Sequence, residues 1–352
     1  MTTAELPKTQ NAWKVVRQGR PDKALVLKKD EPMPTKLKPG EVLVKVQAAS
    51  LNPVGHKIMG LVPNFVAGRP LTPEHDFAGI VVDGNDTRWH RGEAVFGVIP
   101  LQLNLKSKYG ALSEYTVAPA DNLETRPEKI SPVQASGIPT VGLTAWQALF
   151  EYLNIEEGQH IFIYGGGTSV GTYAIQLAKW KGVKVTVAAS GKKEDFVKGL
   201  GADEFIDYTK QDVPTYLQKN PPAPKFHAIF DAYGLADPSL YTKSESYLAP
   251  GGIFASVGPQ PHGFSGAFHV GKLLWCSFMP ALLGGVRRRW SFVLCQINHE
   301  QLAQLADLIV QDKVKPIVDS VYAFEDALQA YDKIMKGDIT GKVVVKVDPN
   351  VD

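Results

Sequence analysis

Cysteine is nearly absent: Cys276 and Cys295 are the only two in 352 residues. That excludes a disulfide-stapled scaffold and any four-cysteine zinc lobe. Neither sign of charge is in excess, since 38 Lys plus Arg stand against 36 Asp plus Glu for a net +2. So balanced a chain is not expected to bind nucleic acid or another polyanion. Long hydrophobic runs are missing too. The most apolar window, residues 273–286, is broken by Ser277, Pro280, Gly284 and Gly285, and a membrane span needs about 20 apolar residues. Residues 1–10 include Glu5 and Pro7 and hold no apolar core of signal-peptide length. These absences predict a cytoplasmic protein of a reducing compartment with no transmembrane span. With 44% hydrophobic and 21% charged residues the chain is globular in composition, and its length predicts two domains.

Periodicity divides the chain. Val42, Val44 and Val46 alternate with Leu43, Lys45 and Gln47, the period of a strand. Short runs at 79–82, 94–99 and 112–117 are bounded by Gly, Pro, Asn or Asp, which predicts a β-rich first domain with few helices. From residue 161 onward, strands at 161–164, 183–189, 204–208, 228–231 and 252–257 alternate with helical stretches at 171–181 and 193–200. This alternation predicts a doubly wound parallel sheet, an α/β fold. Residues 300–311 place Leu302, Leu305, Ala306 and Ile309 on one helical face, and a helix over 324–335 and a strand over 341–347 follow. That mixture predicts a return to the first domain.

Directly after Tyr164 the chain reads Gly165-Gly166-Gly167-Thr168-Ser169-Val170-Gly171. A glycine-rich turn between a strand and a helix brings backbone N–H groups and the positive end of the helix to a pyrophosphate. Thr168 stands where the second glycine of the dinucleotide fingerprint would be. The same letters satisfy the G-x-S-x-G nucleophile elbow, so a serine esterase using Ser169, with Asp231 and one of His262, His269 or His299, is an alternative. The end of the next strand reads Ala188-Ala189-Ser190-Gly191-Lys192-Lys193. An NAD site usually carries Asp or Glu there, whereas a hydroxyl and two cations suit a 2′-phosphate, so NADPH is the expected cofactor. Alternatively Lys192 and Lys193 only open a solvated helix with Glu194 and Asp195.

The chain resembles the medium-chain dehydrogenase/reductase superfamily in its zinc-free quinone oxidoreductase and enoyl reductase branch. The resemblance is carried by Gly40-Glu41-Val42-Leu43-Val44-Lys45-Val46, Leu51-Asn52-Pro53-Val54, Asp76-Phe77-Ala78-Gly79, Gly142-Leu143-Thr144-Ala145 and Gly341-Lys342-Val343-Val344, in family order. Residues 196–208 are similar to chloroplast-envelope quinone oxidoreductases, and the turn around Thr168 to fungal trans-acting enoyl reductases. The resemblance implies a Rossmann NADPH-binding domain over 128–297 and a GroES-like catalytic domain formed by 1–127 and 298–352. It implies that Ser190, Lys193 and Tyr208 bind the 2′-phosphate and that Gly165, Gly166, Gly167, Thr168, Ser169, Val170 and Gly171 bind the pyrophosphate. Asn52 and Thr144 would lie near the nicotinamide, with Val257 and Gly258 lining its pocket. Gly55 departs from the pattern, since many relatives carry Asp after Asn-Pro-Val. His75-Asp76 occupies the place of a zinc-building pair, but the other ligand positions fall near Gly55 and 142–144, where neither Cys nor His stands. No metal is therefore expected, because a catalytic zinc needs three protein ligands.

Without a Lewis acid, a conjugated double bond or a quinone is an easier hydride acceptor than an isolated ketone. The expected substrate is a small hydrophobic enone or quinone. Asn52 is the leading catalytic candidate, with Lys57 and His56 as proton donors, and the expected state is a monomer or homodimer. Arg287-Arg288-Arg289 beside 273–286 leaves open a weak peripheral membrane contact, and with it a non-catalytic cofactor-binding protein; the same stretch could instead roof a substrate pocket.

Overall fold

A computed structural model describes residues 6–259, 271–277, 279 and 283–352. The chain begins with an antiparallel pair, β1 (Thr9–Val15) and β2 (Leu25–Pro32). Next come β3 (Glu41–Ser50), helix α1 (Pro53–Leu61), β4 (Asp76–Asp83), β5 (Ala94–Val98), β6 (Tyr115–Pro119) and β7 (Leu123–Thr125). In β3 the alternating Val42, Val44 and Val46 are buried on one face, and on the other Lys45 is exposed while Leu43 is buried in a small second cluster with Met33 and Val117. Helices α2 (Pro132–Ser136) and α3 (Pro139–Gln147) follow. Ser131 caps α2 in a reciprocal pair with Gln134, and Pro132 occupies its first position.

The parallel sheet starts with β8 (His160–Tyr164), α4 (Ser169–Trp180), β9 (Lys184–Ala189), α5 (Glu194–Gly199) and β10 (Glu204–Asp207). It is completed by β11 (Phe226–Asp231), β12 (Leu248–Ser256) and β13 (Arg289–Phe292). Among the described residues these strands run in the order β10-β9-β8-β11-β12-β13, all parallel. Ile161, Phe162 and Ile163 are fully buried, the continuous apolar run of a strand covered on both faces. The chain then forms α6 (His299–Val310), β14 (Val318–Ala323), α7 (Ala327–Lys336) and β15 (Lys342–Lys346). Strand β15 inserts between β14 and β3, giving the order β14-β15-β3-β4-β5-β7 with β6 also on β3.

Two compact units result: residues 1–140, 297–311 and 316–352, and residues 141–296 with 312–315. The first extends past the expected border at 127/128 because α2 packs against β3, β4, β5 and β15. Ser50 Oγ also donates to the Ser136 carbonyl at 2.8 Å. The expectation of few helices in the first domain is corrected. Pro53 and Pro132 look like breakers in sequence, yet each occupies the first turn of a helix, where its missing N–H costs nothing. The stretch expected as a helix from 193 begins as a 3₁₀ turn over Gly191–Lys193 before α5.

Candidate functional sites

In the second unit the turn after β8 is built by packing demands. Gly165 has φ 82°, and a Cβ there would lie 2.9 Å from Tyr233 Cβ; left-handed backbone of this kind favours glycine. A Cβ on Gly171 would overlap the Gly165 carbonyl and come within 2.9 Å of Gly166 Cα. Thr168 is no defect in the fingerprint. It is the N-cap of α4, its hydroxyl accepts from the Gly171 N–H at 3.0 Å, and it lies 3.2 Å from the Ala232 carbonyl, to which it donates. The first turn of α4 lies at the positive end of the helix, where backbone N–H groups point outward. This donor set fits a dinucleotide pyrophosphate.

Around the end of β9, Ser190 is 9% exposed and its carbonyl accepts from the Lys193 N–H. Lys193 lies over the glycine turn and donates from Nζ to the Gly167 carbonyl at 3.3 Å. Tyr208 stacks on Tyr164 with centroids 5.9 Å apart, and its N–H donates to the Ala189 carbonyl. The structure thus brings Ser190 and Lys193 to the end of β9 with Tyr208 beside Ala189, and lays Lys193 over Gly167. A carboxylate also stands close by, Asp207 of β10, and its Oδ1 accepts from the N–H groups of Gly191 and Thr209 and from the Thr209 hydroxyl. Those bonds, the Thr209 hydroxyl foremost, hold its pKa below the ordinary value.

Val257 and Gly258 are fixed through Asp231, whose role in organising this loop the sequence did not disclose. Asp231 is buried and accepts from Ser256 Oγ and from the N–H groups of Tyr233, Gly234 and Leu235. The Val257 N–H donates to the Asp231 carbonyl, and the Gly258 N–H to Ser256 Oγ. Thr144 is buried on α3.

The esterase alternative does not hold. Ser169 opens α4 with ordinary helical backbone rather than the strained elbow a nucleophile needs, and the Asp231 carboxylate is already committed. His299 instead faces Glu124 and Arg88 in the first unit, and His262 and His269 lie outside the described residues. Of the three arginines, Arg289 opens β13, Arg288 donates from Nε to the Leu248 carbonyl, and the Arg287 N–H donates to Glu245. Among the described residues no helix is long and apolar enough to cross a membrane.

In the first unit Asn52 is the N-cap residue of α1 but does not cap it. Instead its Nδ2 donates to Asp76 Oδ2 at 2.9 Å and its Oδ1 accepts from Lys342 Nζ at 2.7 Å. A carboxylate on one side and an ammonium on the other fix the orientation of the amide. Lys342 also pairs with Asp76 at 3.3 Å, both at most 2% exposed, and Thr140 Oγ1 donates to Asp76 Oδ1 at 2.5 Å. The Asn52 N–H donates to Glu74 Oε2 at 3.0 Å, and Tyr331 donates to Glu74 Oε1 at 2.5 Å. Burial pushes the Glu74 carboxyl up to about 7, against the opposing pull of the Tyr331 and Asn52 bonds and of Lys342. His56 and Lys57 lie on α1 beside Asn52, and burial lowers the pKa of both. Asp76 and Lys342 stand within the resemblance motifs, but neither Glu74 nor Tyr331 had any local signal.

The description "Alcohol dehydrogenase GroES-like domain" matches residues 38–128, and "Zinc-binding dehydrogenase" matches residues 200–345. A trans-enoyl reductase of Aspergillus terreus is 34% identical over 97% of this chain and 98% of its own. A zinc-type alcohol dehydrogenase-like protein of Schizosaccharomyces pombe is 30% identical over 97% of both chains. Among solved structures, the quinone oxidoreductase from Coxiella burnetii matches with a TM-score of 0.78 and 28% identity, covering 96% of this chain and 99% of that one. The zinc in two of these descriptions finds no fitting donors. Among the described residues no group of three His, Cys, Asp or Glu could hold a metal. His75 Nδ1 bonds the Ile99 carbonyl, and the Asp76 carboxylate is taken by Asn52, Thr140 and Lys342.

Proposed function

The chain belongs to the medium-chain dehydrogenase/reductase superfamily of oxidoreductases that bind a nicotinamide cofactor, and from that premise we propose that it is a zinc-independent, NADPH-dependent reductase of α,β-unsaturated carbonyls or quinones. The observation that carries the cofactor choice is the end of β9, where Ser190 and Lys193 meet Tyr208 and the nearby Asp207 carboxylate is engaged at Oδ1 by backbone and Thr209, with Lys210 Nζ 3.6 Å from Oδ2. A hydroxyl, an ammonium and a phenol suit a 2′-phosphate, whereas an NAD site offers a carboxylate to the ribose hydroxyls. The glycine turn and the N-terminus of α4 would hold the pyrophosphate, and Val257, Gly258 and Thr144 would border the nicotinamide. When bound, NADPH supplies the hydride for the β-carbon of the acceptor.

Asn52 has one Nδ2 hydrogen committed to Asp76, and its other would donate to the acceptor oxygen, where negative charge develops in the transition state. Lys342 and Asp76 keep that amide from rotating. Lys57 or His56 supplies the proton for the α-carbon; burial lowers both pKa values, which makes the Lys57 ammonium a readier donor and leaves the His56 imidazole more often neutral. The names of the trans-enoyl reductase and quinone oxidoreductase relatives support the acceptor class, and the donor set around His75 supports chemistry without a metal. Oxidation of NADPH followed with a 2-alkenal, an enoyl thioester and a quinone, and in parallel with NADH, tests the proposal. Turnover with NADPH at least tenfold more efficient than with NADH is expected; no turnover across the panel, or a preference for NADH, refutes it.

A further inference from the structure

Gly55 and Glu74 face each other in the first unit. A Cβ on residue 55 would overlap Glu74 Oε1 and lie 2.8 Å from its carboxyl carbon, so the space in front of Gly55 is filled by the Glu74 carboxyl group. Glu74 holds that position at φ 66°, backbone that residues with a side chain seldom adopt. A cavity of about 20 Å³ lies against the two residues, room for about one water. Both Glu74 oxygens are used, one by Tyr331 of α7 and one by the Asn52 N–H. Two residues along, Asp76 takes the amide of the same Asn52. The short segment 74–76 thus grips Asn52 at its backbone and at its side chain, and a shift of Glu74 displaces both.

We propose that Glu74 is the positioning residue for Asn52 and that residues 55 and 74 share one carboxylate site, which Glu74 fills because residue 55 has no side chain. The positioning half rests on the catalytic reading of Asn52 given above; the shared site does not. A side chain grown from residue 55 projects into the same volume, so a carboxylate can enter it from either position, but not from both together.

Four proteins test this: wild type, Gly55→Asp, Glu74→Gly, and the double variant, each assayed for thermal midpoint and for kcat and KM with NADPH and an enone. Gly55→Asp forces two carboxylates into one site, and Glu74→Gly leaves Tyr331 and the Asn52 N–H without an acceptor. Each single variant is expected to lower the midpoint and to reduce kcat about tenfold, the effect of one lost hydrogen bond, with KM for NADPH unchanged. The double variant is expected to regain most of the midpoint and to come within about threefold of wild-type kcat, a coupling that independent sites do not show. A double variant that fails to fold, or whose losses equal the sum of the singles, overturns the shared site. Glu74→Gln keeps an acceptor for the Asn52 N–H and is expected to hold kcat within about threefold; a loss as deep as that of Glu74→Gly overturns the positioning role. If Asn52→Ala retains wild-type kcat while the thermal rescue still occurs, the positioning role falls and the shared site stands. If wild type oxidises no NADPH with any acceptor, the reductase reading falls, and the thermal cycle alone still decides the shared site.

Discussion

Replacing Glu74 by Gln removes one titrating group from the interior while keeping its shape, and the consequence can be worked out in advance. The carbonyl oxygen of the new amide accepts from the Asn52 N–H, and its NH₂ group donates to Tyr331 once that hydroxyl rotates. In wild type the carboxyl moves from 4.5 to about 7 on folding. A raised acid means that the folded state holds a proton the unfolded chain has already released, so stability falls as pH rises between those values. Each pH unit in that window costs about 1.4 kcal/mol, which amounts to about 2.5 kcal/mol between pH 5 and pH 8 once both titrations are followed. Asp76, Lys342, Tyr331, His75 and Arg69 lie around the group and are present in both proteins. Urea unfolding of wild type and Glu74→Gln at half-unit pH steps reads that difference directly. The variant should gain on wild type by about 2 to 3 kcal/mol from pH 5 to pH 8, with the gain levelling off above pH 7. A difference that stays flat across the range refutes the buried, proton-holding carboxyl.

Two further outcomes follow from the same geometry. Lys193→Ala removes the ammonium over the glycine turn and is expected to raise KM for NADPH ten- to a hundredfold, about 1.5 to 3 kcal/mol for a charge-assisted bond, while KM for NADH changes less than threefold; parallel steady-state titrations check it, and equal losses for both cofactors contradict the assigned role. Lys342→Met leaves Asp76 buried without its cation and Asn52 Oδ1 without its donor, and should cost about 3 to 5 kcal/mol by urea unfolding, with partial recovery in the Lys342→Met/Asp76→Asn pair; a cost under about 1 kcal/mol would show that the pair carries little of the fold.

How much of this was legible in the sequence depended on how far apart the partners lie. The β3 alternation and the strand-turn-helix at Gly165 are local patterns, and both elements form where the periodicity puts them. Ser190 and Lys193 sit three residues apart and could be read together. Thr168 looked like a flaw because the fingerprint asks for glycine, but a β-hydroxyl at an N-cap serves the helix directly. The Asn52 cluster was out of reach. Its partners come from 22, 24, 257 and 290 residues away, counting the Tyr331 to Glu74 bond. Charged residues are ordinarily read as surface, and nothing local to Glu74 announces a positive φ. Gly55, taken in sequence only as a departure, becomes intelligible once Glu74 is seen to occupy its side-chain volume.

The placement of β15 between β14 and β3 has a bearing on the order of events during synthesis. A ribosome delivers β3, β4 and Asp76 early, but the strand that flanks β3 and the lysine that neutralises Asp76 arrive only after the whole parallel-sheet unit has been made. Until then only the 48–50 end of β3, beyond the stretch that β6 pairs, lacks its neighbour, and a carboxylate destined for the interior has no cation, so the nascent first unit must remain loose or solvated at that spot. The inserted unit, nearly all of it within 141–296, is free to fold before the last strand of the first unit has been made.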